Sequence, residues 1–497
     1  MSSSVPEGNP ELALQTMVHP QSAAWPRFAE VPEPRMAAIY AGNGSGTKLF
    51  QGFLDSHPQI YMVPAYPLMY LYPHWEQWLD EMCDNWNWPA IIDAFSEKHA
   101  SVLDSRRIPG FNGLTNLGKS RDQHLAIDEA LFRAFLAHLL EGEPITARTF
   151  LLAVHYAHAF ASGEDLSHKR VLVYHIHVPS YVPDYLISDF PDALVMGTVR
   201  DPRSNIRGRY RHSYLAVDDQ KLNRSDAIIY RRRSYALLMG YMLGGLEACA
   251  GLPPERVRVV RHEDLYYDPA GVMRATARFL GIDEHPCLGE LTFGGQLWWG
   301  DKIYDMKPMN TANPRVVSLD WQKHLDALEW FTFEGLLFRF MKKYDYQPYK
   351  YRSDTLLRRL VLFLALGMPS RTERGVFLAY LSARGMGDFF RACLDEATGR
   401  VEMKDYTVNA YYRHKWTQKD LKLWKPRRYV TLLLKSRNGA GAGRRRLAVA
   451  TYMAVNLCRY AWSAALCPAS VFRRWSVSLA AFRRHHRGCA TLPDRLA

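Results

Sequence analysis

Three clusters of residues have the types and spacing that chemistry needs, and the first is a glycine-rich loop. Ala41-Gly42-Asn43-Gly44-Ser45-Gly46-Thr47-Lys48 follows the apolar run Met36–Tyr40 and precedes the helical spacing of Leu49–Leu54, which His57-Pro58 ends. A strand, then glycines, then a helix start gathers backbone N–H groups around one point, with the positive end of the helix dipole behind them. Gly42, Gly44 and Gly46 let the backbone approach an anion, and the Ser45 and Thr47 hydroxyls add donors. The loop is thus read as a phosphate cradle, in an enzyme that binds a phosphorylated nucleotide. Two familiar motifs do not fit. A Walker A loop needs Ser or Thr after Gly-Lys, whereas Lys48 follows Thr47 and precedes Leu49. A dinucleotide fingerprint needs G-x-G-x-x-G, whereas the spacing here is G-x-G-x-G.

The second cluster is Arg200-Asp201-Pro202-Arg203, at the end of the apolar run Ala193–Val199 and before a helix with Asn205, Arg207, Tyr210 and Arg211. A guanidinium fork at a strand's carboxyl end can donate two parallel hydrogen bonds to a second phosphate. Asp201-Pro202 reads as the start of that helix. The third is Arg261-His262-Glu263-Asp264-Leu265, whose acidic pair is expected to cap the following turn.

These clusters need a scaffold that brings strand ends together. Helical spacing is read over Ile127–Leu140, Ala147–Ala161, Tyr181–Asp189, Asn205–Tyr214, Ala227–Cys249 and Gly271–Leu280; strands are read at Arg170–His177, Ala193–Val199 and Val257–Arg261. Continuous apolar strands separated by helices predict a three-layer α/β/α fold with a central parallel sheet. Ligands then sit at the carboxyl ends of the strands, where the loop, the residues after His177 and the residues after Val199 are expected to converge.

In their order and spacing the motifs resemble the sulfotransferase superfamily, which uses 3′-phosphoadenosine 5′-phosphosulfate (PAPS) as donor. Gly44-Ser45-Gly46-Thr47 with His57-Pro58 is similar to the family's 5′-phosphosulfate loop. Phe190-Pro191-Asp192-Ala193, the strand and Arg200–Arg203 resemble its 3′-phosphate site; Glu263-Asp264-Leu265 with Phe279–Ile282, then Trp321–Leu325 and Lys343–Tyr346, resemble its later blocks. The likeness spans residues 36–349. It implies a P-loop NTPase-like sulfotransferase fold and transfer of a sulfuryl group to a hydroxyl of a carbohydrate, lipid or small molecule. It places the donor on Asn43, Gly44, Ser45, Gly46, Thr47 and Lys48, with Arg200, Ser204 and Arg207 at the 3′-phosphate. His175-Ile176-His177-Val178-Pro179 is similar to the Lys-Thr-His-Leu-Pro segment of the cytosolic branch. That implies His177 as the catalytic base, with Lys48 and His175 at the positions of supporting cations.

Three positions depart from the pattern. The cation normally before Ser45 is Gly44, the serine eight positions after the 3′-phosphate arginine is Gly208, and Tyr66 stands near the place of a carboxylate base. They leave a catalytically impaired nucleotide or polyanion binder of the same fold as the alternative, with a P-loop kinase behind it.

Composition bounds the rest. At 497 residues the chain exceeds the roughly 250–300 of one hydrophobic core, and 48% of it is apolar. A polar tail over 1–35 is expected to be disordered, without a signal peptide or anchor. Seven cysteines in no C-x-x-C pair point to a reducing compartment rather than disulfides or zinc, and no metal is expected. Residues 1–350 carry 35 Lys and Arg against 41 Asp and Glu, a net −6; residues 351–497 carry 28 against 9, a net +19. A domain boundary near 350 is predicted, followed by a basic, mainly helical region. Such an imbalance fits an electrostatic partner. Leu447–Phe472, lipophilic but containing Asn456 and Arg459, is read as interfacial rather than spanning. The expected location is cytoplasmic, with peripheral contact on an anionic membrane face. No nucleic-acid recognition motif accompanies the charge.

Overall fold

The computed structural model describes residues 25–41, 45–64, 68, 71–72, 75–107, 114–176, 186–205, 252–300, 322, 325, 327–366 and 492–496. Five parallel strands form the central sheet: β1 (Arg35–Ala41), β2 (Ile60–Tyr61), β3 (Val171–Ile176), β4 (Leu194–Val199) and β5 (Val257–Arg261), in the order β2-β3-β1-β4-β5. The middle strand is the one that feeds the glycine loop, and the chain crosses from one side of it to the other between β3 and β4. That reversal opens the crevice at the strands' carboxyl ends that ligands occupy in such sheets.

The strands are apolar on both faces because both faces are covered. Along β1, Met36, Ala38 and Tyr40 enter one core while Ala37 and Ile39 enter the other. The first core, with Leu172, Tyr174 and Ile176 of β3, packs under the helices Trp88–Lys98, Glu129–Leu140 and Ala147–Ala161. The second, with Val171, Val173, Leu194 and Met196, packs under helix α1 (Thr47–Gly52) and the helix Pro269–Leu280. Period-2 alternation of apolar side chains thus makes the three-layer α/β/α domain that the sequence led us to expect.

Strand and helix limits fall within three residues of the sequence reading. Helix α1 is shifted by two residues at both ends and starts at Thr47 because Gly46 turns the chain into it. Helix starts follow local chemistry: Asp128, Thr146 and Asp268 each accept from a backbone N–H of the first turn. Two stretches beyond residue 350 pack on the domain. The helix Leu356–Leu366 lies against Ala327–Leu336, and Val259 of β5 donates to Asp494 O (2.9 Å) and accepts from Leu496 N (2.8 Å). Lys343 pairs with Asp494 at 2.5 Å and Arg495 with Asp264 at 2.7 Å. The helices read over Asn205–Tyr214 and Ala227–Cys249, most of Tyr181–Asp189, the tail up to residue 24 and the basic region 367–491 lie outside the described residues.

Candidate functional site

The loop's second half is held from three sides. Ser45 Oγ lies 2.8 Å from Thr198 Oγ1, which ties the loop to β4. Gly46 sits in the left-handed region at φ 88°, and its carbonyl accepts from Phe50 N (3.1 Å) to open α1. A Cβ on Gly46 would lie 2.0 Å from Nδ1 of His262, so only glycine lets this backbone close on the imidazole. The His262 N–H donates to Val199 O at 2.7 Å and its ring meets Tyr266 edge-on, so the ring is fixed between β4, β5 and the loop. Burial, then the charge of Arg200, holds His262 far below the ordinary imidazole range; it is neutral, and Nδ1 has no hydrogen-bond partner.

The arginines after β4 divide by what they already hold. Arg203 is 2% exposed and its fork is consumed: Nε and Nη2 donate to Asp201 (2.9 and 2.8 Å), Nη1 to Glu334 (2.7 Å) and to Gln347 O (2.9 Å). Glu334, fully buried, also accepts from the backbone N–H groups of Tyr349, Lys350 and Tyr351. Arg203 is therefore the rivet between the β4 turn and the Ala327–Leu336 helix. Arg261 faces the Tyr346 ring at 4.8 Å and Asp264 at 3.8 Å. Arg200, half-buried at the end of β4, makes no hydrogen bond or ion pair within the described residues, while its charge is felt at His262. An uncommitted guanidinium beside a loop closed to any Cβ offers two points at which anionic groups could be held. Their chemistry is compatible with a ligand carrying phosphate groups at two ends.

Asp201-Pro202 starts the helical turn 202–205 as read, with Asp201 Oδ1 accepting from Arg203 N at 2.9 Å and Asp201 O from Asn205 N at 2.8 Å. Ser204 is half-buried in that turn. The capping role read for Glu263-Asp264 is corrected by the structure. Glu263 occupies the cap position of the turn Asp264–Tyr267 but makes no side-chain cap bond. Its carboxylate instead accepts from Asp201 N (2.8 Å) and Tyr346 Oη (2.7 Å), bracing the turn that carries Arg200. Burial raises its pKa. Asp264 pairs with Arg261 and Arg495.

Lys48 is buried in the first turn of α1, with Nζ 5.4 Å from the centroid of Trp298. His175 is the fifth residue of β3, inside the sheet opposite Ile39 rather than at the strand's end, and is 3% exposed. Asn43, Gly44, His177, Arg207, Gly208 and Tyr66 lie outside the described residues. His262 is the residue sequence reasoning missed: it stood in a quoted motif, and only its packing on Gly46 marks it.

A cavity of about 450 Å³ is lined by Ile60 of β2 and by Met62, Val63, Leu125, His158 and Lys169 among others. It also takes in Leu54–Ser56, beyond the far end of α1 from the loop, so it is distinct from the loop and from Arg200. Among the described residues no cluster of three or more His, Cys, Asp or Glu is placed to hold a metal ion, and no helix is long and apolar enough to cross a membrane.

The parallel sheet carries a glycine loop at the carboxyl end of its middle strand and, at the end of the strand beside it, an arginine with no hydrogen bond or ion pair among the described residues. The profile of the Sulfotransferase family matches residues 43–286, a stretch that begins inside the glycine loop, after β1, and takes in β2 to β5 and Arg200. The chain carries a domain of the sulfotransferase superfamily. Among solved structures it is similar to the sulfotransferase domain from the curacin biosynthetic pathway, at 16% identity over 57% of this chain and 83% of that one, TM-score 0.31. It is similar to the sulfotransferase domain of the Synechococcus PCC 7002 olefin synthase at 18%, over 59% and 88%, TM-score 0.33. It is also similar to a sulfotransferase from Alicyclobacillus acidocaldarius at 17%, over 52% and 89%, TM-score 0.27. No curated protein matches the chain.

Proposed function

We propose that this protein transfers a sulfuryl group from PAPS to a hydroxyl of a carbohydrate, lipid or small-molecule acceptor. The observation that carries the reading is the pairing of the Gly46 cradle with the uncommitted guanidinium of Arg200, joined through the neutral ring of His262. The two anion contacts suit a nucleotide phosphorylated at both its 5′ and 3′ positions. Ser45, Gly46, Thr47 and Lys48, with Asn43 and Gly44 by resemblance, would hold the 5′ end; Arg200, with Ser204 and Arg207, the 3′-phosphate.

The donor supplies an activated sulfuryl group whose bond to the phosphate oxygen breaks as the acceptor oxygen attacks sulfur. The chain has three tasks in that exchange. The acceptor must lose a proton, and His177, which directly follows β3, is the base the resemblance assigns. Charge builds on the departing phosphate oxygen, and loop N–H groups, hydroxyls and Lys48 stabilise it where it forms. The turn bearing Arg200 must stay rigid, which the Glu263 and Arg203 contacts ensure.

Arg200→Ala is expected to abolish calorimetric binding of adenosine 3′,5′-bisphosphate with the unfolding midpoint unchanged. His177→Ala is expected to bind it normally and to lose turnover. Undiminished turnover in the second variant overturns the base assignment. A second reading, a binder that kept the fold and lost the chemistry, is favoured by Gly44 in place of a cation and by the Lys48 ammonium lying over Trp298. Binding without transfer to any of a broad panel of acceptors would select it.

A further inference from the structure

The helix Leu356–Leu366 presents an apolar stripe to solvent. Leu356 is 84% exposed, Leu357 70%, Leu360 56% and Val361 44%, and their spacing places all four on one face. The opposite face holds the helix in place: Leu362 is 1% exposed and fits against Gly335, where a Cβ would meet its methyls at 2.8 to 2.9 Å. Arg359 chelates Asp354 (2.8 and 2.7 Å) and Arg358 donates to Lys350 O (3.1 Å), which fixes the start of the helix. The stripe is therefore carried on a docked, rigid element, and four adjacent exposed aliphatic side chains mark an interaction site.

We propose that this helix docks the protein on an anionic lipid bilayer, with Leu356, Leu357, Leu360 and Val361 entering the interface between headgroups and acyl chains. Charge complementarity selects this occupant. The helix has no acidic residue, Arg358 and Arg359 flank the stripe, and Lys350 and Arg352 are exposed just before it. The residues from 351 onward carry 28 Lys and Arg against 9 Asp and Glu. A basic surface around an apolar stripe is the pattern of helices that lie in the plane of a negatively charged interface. A second copy of the chain would bring the same arginines face to face across a two-fold axis, which opposes self-association. Docking here is independent of the reaction proposed above.

The test is co-sedimentation of the full-length protein with vesicles of phosphatidylcholine alone and of about three parts phosphatidylcholine to one part phosphatidylglycerol. The wild-type protein is expected to bind the anionic vesicles preferentially. The Leu356→Ser/Leu360→Ser variant is expected to lose about a hundredfold or more in partitioning, since each leucine forfeits the transfer of its side chain out of water. Leu357→Ser alone is expected to fall in between. Each variant is checked for an unchanged unfolding midpoint, which surface positions favour. Absence of wild-type binding, binding undiminished in the variants, or a wild-type dimer in solution that the variants turn monomeric would each overturn the proposal. The last result would assign the stripe to a second copy, and the second to charge alone.

Discussion

Placing a methyl group on Gly46 tests how the anion loop is built. In Gly46→Ala the residue must keep φ near 88°, which costs an L-residue about 1–2 kcal/mol. Its Cβ must also find room 2.0 Å from His262 Nδ1 and 2.7 Å from Cε1, inside contact distance of a buried ring. That ring cannot swing away freely, because Tyr266 lies against it at 5.0 Å and its own backbone is bonded to Val199. Overpacking of this kind costs about 1–3 kcal/mol, giving a total of about 2–5 kcal/mol. The domain should stay folded within a typical stability of about 5–15 kcal/mol. Urea unfolding reads the stability, and calorimetric titration with adenosine 3′,5′-bisphosphate reads the loop, whose N–H groups should no longer converge. The double variant Gly46→Ala/His262→Ala removes the clash and keeps the backbone strain, so a coupling of about 1–3 kcal/mol should appear in the cycle. Wild-type stability and affinity in Gly46→Ala, or no coupling, would refute the packing argument.

Other outcomes follow from the same contacts. Arg203→Met should cost about 3–5 kcal/mol in urea unfolding, because Glu334 and Asp201 lose their cation in a buried setting, whereas Arg200→Ala should change stability by less than about 0.5 kcal/mol. Equal losses in the two would contradict the division of labour between them. Burial holds His155 at about 4 and His158 at about 3, and holds His262 well below 6.5. The unfolded chain takes up protons on these groups from near pH 6.5 downward while the native state does not. Stability should therefore be full above that pH and fall on acidification, by about 1.4 kcal/mol per histidine per pH unit. His158→Gln should flatten the slope between pH 6.5 and 4.5 in thermal scans, and an unaltered slope would remove His158 from that account. Removing residues 492–497 strips Val259 of its bonds to Asp494 and Leu496, and should lower the unfolding midpoint by several degrees.

Much of the domain was legible because its signals are local. The apolar runs of β1, β3, β4 and β5, the glycines before α1 and the Asp201-Pro202 start each depend on neighbours within a few residues. The strands alternate between two cores, so both of their faces had to be apolar, and that is the pattern a sequence shows most plainly. What could not be read depends on distant partners. Arg200 and Arg203 look equivalent in the chain, and besides the neighbouring Asp201 it is Glu334, 131 residues away, and Gln347 O that occupy the fork of Arg203 and leave only Arg200 for the proposed anion site. Glu263 looked like a cap because a following turn is nearby, but its oxygens were claimed by Asp201 and by Tyr346, 83 residues on. His262 had no signal of its own, since its task is to fill the space that Gly46 leaves. The exposed stripe at 356–361 reads in sequence like any buried helix, because hydrophobicity alone does not say which face is covered.

The central claim is that a doubly phosphorylated nucleotide is gripped at both ends by this chain and gives up its sulfuryl group. Incubating the protein with PAPS labelled on sulfur, together with a panel of hydroxyl acceptors, tests it most directly. The account expects labelled sulfate ester on at least one acceptor, formed with one equivalent of adenosine 3′,5′-bisphosphate and absent with Arg200→Ala and His177→Ala. Failure of the wild-type protein to bind either nucleotide, or magnesium-dependent binding of a nucleoside triphosphate in their place, would contradict it.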